Sequence, residues 1–166
     1  MDTTNEVIRS ILILFSEAYA GPSDPSSTWF IDNQPDSGIL GLIASIPAAA
    51  ASWSSNEQQP GTSIAAHVEH LRWSLANANG ALQGKPYQAN WKESWNTLSA
   101  SEIEWTRLRK ELKIEIEALR VNLQQQTELT GIYLIGVMAL VPHAAYHLGT
   151  IRQLIERAGE KTGKTF

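Results

Sequence analysis

Apolar residues recur at three- to four-residue intervals along most of this chain, and no stretch alternates with a period of two for long enough to make a strand. Between Thr3 and Ala20, the positions Val7, Ile8, Ile11, Leu12, Phe15, Ala18 and Tyr19 mark one face of a helix, which Gly21-Pro22 stops. Residues 21–38 are rich in Pro, Ser, Asp and Gly and read as a long loop, its Trp29 and Phe30 expected to tuck against the helices. A loop of that length in a compact domain is often functional. Ile39 to Trp53 reads as a shorter helix interrupted by Pro47, and Pro60-Gly61 signals a turn in the polar stretch that follows.

The second long helix starts after Ser63, a good N-cap, and runs to about Asn79 before Gly80, with Ile64, Val68, Leu71 and Leu75 on its apolar face. After Gly84-Lys85-Pro86, Trp91 and Trp95 stand four apart, the spacing of one helical turn. Ser101 with Glu104 fits a capping box, and Ile103, Leu108, Leu112, Ile116, Leu119 and Leu123 carry a third long helix to about Gln126. A fourth covers Leu134 to Arg157 with a kink at Pro142, a cap at Gly159 and a polar tail from Lys161 to Phe166. The pattern predicts an all-α domain over residues 1–166, four main helices with additional short ones.

Composition narrows the function. With 43% hydrophobic and 18% charged residues the chain is an ordinary globular domain. Its net charge of −4, with Arg107, Arg109, Lys110 and Lys113 interleaved with Glu104, Glu111 and Glu115, gives no drive toward nucleic-acid phosphates. There is no cysteine, so any thiol chemistry needs a thiol brought by a small molecule. Asp2 and Glu6 stand where a signal peptide needs positive charge, and the apolar run Gly131–Pro142 is short of the roughly 20 residues that span a bilayer. The expectation is a cytoplasmic protein with no membrane partner.

The candidate chemistry lies in the four histidines. His143 and His147 stand four apart, on one face of a helix; His67 and His70 form a second pair on another helix. Three neutral imidazoles, His67, His143 and His147, can hold one divalent ion and leave a position for water or substrate. His67 lies near the Ile64–Val68–Leu71 face and should point inward; His70, about 60° further round, is open to three roles: fourth ligand, hydrogen-bond partner of a ligand, or surface residue. The bland reading is that these are surface or capping histidines. Nitrogen ligands suit zinc or nickel, and also iron. Because imidazole must be neutral to coordinate, affinity is expected to fall below about pH 6. Two motifs are missing. A His-Glu-x-x-His peptidase site needs Glu where Ala144 stands, and a di-iron site needs Glu where Ile64, Leu140 and Ala144 stand.

The segments Ser63-Ile64-Ala65-Ala66-His67-Val68-Glu69-His70-Leu71 and His143-Ala144-Ala145-Tyr146-His147-Leu148-Gly149-Thr150-Ile151-Arg152-Gln153 resemble the two metal-ligand helices of the DinB/YfiT-like superfamily, the second more specifically than the first. The stretch around Trp91, Trp95 and Trp105 is also similar, so the likeness covers about Ser63 to Leu154 and, loosely, the first helix. It implies a four-helix bundle with a divalent metal on the positions of His67, His143 and His147. Some members are metal-dependent transferases or isomerases that use low-molecular-weight thiols such as bacillithiol or mycothiol, and most have no assigned reaction. Mycothiol-dependent relatives carry Glu at the position of His143, so the all-histidine set here is closer to the bacillithiol type.

The resulting expectation is a metal-dependent thiol S-transferase or hydrolase acting on a small-molecule substrate, able to form a homodimer. The alternative is a non-catalytic module that binds a metal or small ligand. Trp29, Trp91, Tyr146 and Arg152 are candidate pocket residues, although tryptophans are more often core anchors, Tyr146 can simply pack beside its histidine, and Arg152 can form a salt bridge between helices.

Overall fold

The computed structural model describes residues 3–54, 56, 61–97 and 99–163. Among them the structure is all-α: α1 (Thr3–Ala20), α2 (Ile39–Ala44), α3 (Ala48–Ala51), α4 (Ile64–Leu82), a 3-10 turn (Glu93–Trp95), α5 (Glu102–Gln124) and α6 (Gly131–Thr162). The four long helices pack in a ring, α4 between α5 and α6, and α1 against α6 and α5. Their inward faces make one core. Ile8, Ile11, Phe15 and Tyr19 come from α1; Ile64, Val68, Leu71 and Leu75 from α4; Leu108, Leu112, Leu119 and Leu123 from α5; Val137, Leu140, Leu148 and Ile151 from α6. Each such side chain contributes about 1.5–3 kcal/mol by leaving water.

Local chemistry sets the ends. Ser63 Oγ accepts from Ala66 N–H and starts α4, and Ser101 with Glu104 forms the full capping box of α5. α4 runs past Gly80. It stops at Gly84, whose positive φ of 81° lets Lys85 N–H reach Gly80 O and Gly84 N–H reach Ala81 O, the Schellman arrangement. Pro47 divides α2 from α3, and the first turns of α5 hold both pieces. Ala48 N–H donates to Glu102, Trp105 Nε1 donates to Ile46 O at 2.7 Å, and Arg109 donates to Ala44 O. Asn79 donates to Glu115 and accepts from Asn122, fixing the register of α4 on α5.

Several expectations change. Ile103 is exposed, and the buried residue in the first turn of α5 is Trp105. α6 begins three residues before Leu134 and ends at Gly163, in the left-handed region at φ 64°, instead of at Gly159. It continues through Pro142, whose ring is on the exposed face, so the Met138 carbonyl that loses its donor is on the solvent side. As one continuous helix α6 is long and apolar enough, by length and composition alone, to cross a membrane, which the shorter run Gly131–Pro142 had not suggested. Trp29 and Phe30 do not tuck in; both rings are exposed, and their backbone is what is anchored. The buried Glu17 carboxylate accepts from Trp29, Phe30 and Ile31 N–H, at 2.8, 3.0 and 3.3 Å. Pro60, and the tail beyond Gly163, lie outside the described residues.

Candidate metal centre

All four histidines meet where α4 faces α6. His67, His70 and His147 are buried and His143 is half-buried. On α4, the row His67, His70, Ser74 runs beside the core row Ile64, Val68, Leu71 at the same three-to-four spacing, so both rows are covered. On α6, Ala144 and Leu148 seat the helix in the core and turn His143 and His147 toward α4.

The imidazoles converge on one edge. His143 Nε2 lies 2.9 Å from His70 Nε2 and 3.0 Å from His147 Nε2. Nitrogens bound to one ion at about 2.1 Å sit roughly 3.0–3.4 Å apart, so small outward shifts would seat a cation among these three. The group that can share an ion is thus His70, His143 and His147. His67 is inward and in the cluster, as its position suggested, but its Nδ1 meets Nδ1 of His147, on the far edge of that ring, at 2.8 Å. His70, left open by the helical wheel, supplies the convergent nitrogen.

Hydrogen bonds set the tautomers. Ser94 is fully buried, and its hydroxyl donates to Trp91 O at 2.6 Å. It therefore accepts from His70 Nδ1–H at 2.7 Å, which leaves the His70 Nε2 lone pair facing the centre. His67 bonds to the Gly61 backbone. With Nδ1 committed to His147, its other nitrogen donates to Gly61 O, so Nδ1 accepts and His147 Nδ1 donates. His147 Nε2 is then also a free lone pair. A single hydrogen on His143 Nε2 serves both acceptors, and a cation taking its place would require only a tautomer shift in His143.

Electrostatics favour the neutral forms. Burial pushes His67 down to about 4, partly offset by its bond to Gly61. Burial, then the proximity of His143 and His67, brings His70 to about 4. Burial also lowers His143, and burial together with the other three imidazoles holds His147 well below the ordinary range. Ligands that stay neutral are what coordination requires.

Tryptophans wall the cluster. The Trp95 ring stacks on His70, centroids 4.0 Å apart and planes within 14°, and stands edge-on to His67. Trp91 flanks His70 and His143 at 5.7 and 6.4 Å, and rests on Trp73. Gly61 closes the wall: its φ is +77°, and a Cβ there would lie 3.1 Å from the Trp95 ring. Ser94 was missed as a site residue by pattern alone; the only signal was its place between Trp91 and Trp95, the two tryptophans four apart. Trp91, a candidate pocket residue, flanks the histidine cluster. Tyr146 is exposed, with its ring edge-on to His147 at 5.0 Å. Trp29 sits elsewhere, over a groove of about 720 Å³ between α1 and the end of α5. Arg152 is engaged by the 21–38 loop, at 2.6 Å from Asp32 and donating to Ser37 O. Glu69 is held by Arg72 at 2.6 and 2.7 Å.

No family model, curated protein or solved structure matches this chain.

Proposed function

We propose that this chain binds a divalent metal on Nε2 of His70, His143 and His147, in a four-helix bundle of the DinB/YfiT-like kind. The observation that carries the reading is the convergence of three Nε2 atoms while the Nδ1 atoms of His70 and His147 are tied up by Ser94 and His67. Such partners orient metal-ligating histidines and fix their tautomers. Imidazole ligands suit zinc or nickel, with iron also accommodated.

The chemistry we assign is metal-dependent transfer of a low-molecular-weight thiol to an electrophile, or hydrolysis at the same centre. When bound, the ion would supply the charge that keeps a thiol ionised or makes water acidic near neutral pH. The chain contributes three uncharged ligands and no carboxylate at that point, which leaves the charge of the ion undiminished and favours an anionic fourth partner. Trp91 and Trp95 exclude water from the α4 side, and the half-buried His143 marks the open side. The thiol comes from outside, since the chain has no cysteine.

A non-catalytic metal or small-ligand module is the second reading. It is favoured by the engagement of Glu69, the nearest carboxylate in sequence, with Arg72. The test is turnover of chlorodinitrobenzene with bacillithiol, and of a nitrophenyl ester without it, by metal-loaded and metal-stripped protein. Metal-dependent turnover of either supports the enzyme reading; stoichiometric metal with neither reaction supports the second.

A further inference from the structure

α6 carries two seams, and among the described residues only one is used within the chain. Val137, Leu140, Ala144, Leu148, Ile151 and Ala158 face the core. On the opposite side Ile132, Ile135, Ala139, Pro142, Tyr146, Gly149 and Gln153 repeat at alternating three- and four-residue steps, and every one is exposed. Ile132 is 74% exposed, Ile135 63% and Tyr146 68%, with Met138 beside them at 52%. No Asp, Glu, Lys or Arg lies between Glu128 and Arg152. This strip exposes on the order of 700 Å² of mostly apolar surface, more than the few hundred Å² a monomer usually leaves contiguous and close to the roughly 800 Å² per partner of a standard interface.

We propose that this seam is the interface of a homodimer in which α6 packs antiparallel on α6 of a second copy, with the two-fold axis at Ala139. A two-fold contact needs a surface that complements itself. Here Ile135 meets Pro142 and Ile132 meets Tyr146 across the axis, all without burying a charge. The small residue Ala139 on the axis allows close approach of the two helices. Alternating three- and four-residue spacing is the pattern of helix pairs that cross at a shallow angle. A lipid surface fits less well. The Lys and Arg of α6, Arg152, Arg157 and Lys161, stand only at its C-terminal end, where Glu156 and Glu160 offset them and Arg152 is paired with Asp32, and the chain is acidic overall. Because Tyr146 stands beside His147, the interface would border the histidine cluster, although the dimer does not depend on metal binding.

The experiment is sedimentation of the full chain at tens of micromolar, with circular dichroism to confirm folding. Wild type is expected at twice the chain mass, and folded Ile135→Glu at the chain mass. The chain has no cysteine, so Ala139→Cys gives a single thiol, which should oxidise to a covalent dimer at least tenfold faster than Lys113→Cys on α5. A monomeric wild type, a dimeric Ile135→Glu, or equal crosslinking of the two cysteine variants would overturn the proposal. So would flotation of wild type, and not of Ile135→Glu, with phosphatidylcholine vesicles, which would make lipid the occupant.

Discussion

His67 Nδ1 lies 2.8 Å from Nδ1 of His147, on the edge of that ring opposite the one facing His143 and His70. On the proposed reading the contact makes His67 a support for a ligand instead of a ligand, and it orders the effects of substitution. We expect His70→Ala to abolish metal binding. His67→Ala should lower affinity about 10–100-fold, the usual cost of removing a ligand's hydrogen-bond partner. Zinc titration calorimetry on both variants distinguishes the roles. A larger loss at His67 than at His70 would restore the ligand set that the family resemblance implies.

The depressed histidines make the metal-free protein sensitive to acid. Unfolded imidazole takes up a proton near pH 6.5, whereas folded His67 and His70 do so only near 4. Between those values the unfolded chain binds more protons, so stability is full above about 6.5 and falls as pH drops toward 4. Each fully participating histidine contributes a slope of about 1.4 kcal/mol per pH unit. Urea midpoints from pH 7.5 to 5.5, above the carboxylate range, should therefore decline; a flat series would mean that the imidazoles are solvated. For the same reason metal affinity should stay nearly level through pH 6, where exposed imidazoles would already lose it.

Gly61 combines a backbone requirement with a packing one. Gly61→Ala places a Cβ 3.1 Å from the Trp95 ring at a φ of +77°, while Gly84→Ala meets a similar φ of +81° with nothing within 4 Å. Both should destabilise by about 1–2 kcal/mol from the backbone alone. Only Gly61→Ala should also weaken metal binding, since it displaces the wall and the partner of His67. Thermal unfolding with zinc titration on the two variants checks this, and equal zinc affinities would refute the link.

Glu17 anchors the 21–38 loop by accepting three backbone N–H groups in a buried position. Removing the acceptor leaves those donors unsatisfied at about 1–3 kcal/mol each. Glu17→Ala should therefore destabilise the protein by roughly 3 kcal/mol or more and open the loop to proteolysis, with Glu17→Gln milder because it keeps one oxygen. Urea unfolding and limited trypsin digestion read both effects. Unchanged loop protection in Glu17→Ala would show that the loop is held by other contacts.

The helical pattern was legible because the long helices obey local rules: the apolar rows of α1 and α4 and the capping box at Ser101 state their elements outright. The ends of α4 and α6 were less legible, since Gly80 and Gly159 look like stops, and only the backbone bonds at Gly84 and the left-handed Gly163 show where the chain turns. Histidine spacing brought the right two helices together. It could not choose between His67 and His70, because both are buried and the choice lies in which ring edge meets His147. Ser94 was hidden for a different reason. It reaches the site from a short 3-10 turn, and no periodicity marks a hydroxyl that a single contact makes important. The anchoring of the 21–38 loop was equally invisible, because Glu17 acts on backbone groups, which every sequence has.

The central claim is that His70, His143 and His147 hold one divalent ion. Elemental analysis of protein prepared without a histidine tag, beside a His143→Ala/His147→Ala double variant of confirmed helicity, tests it most directly. We expect about one equivalent of zinc, nickel or iron in the wild type, as for a single three-histidine centre, and none in the variant. Equal metal in both, or none in a wild type dialysed against each of these ions, would contradict it.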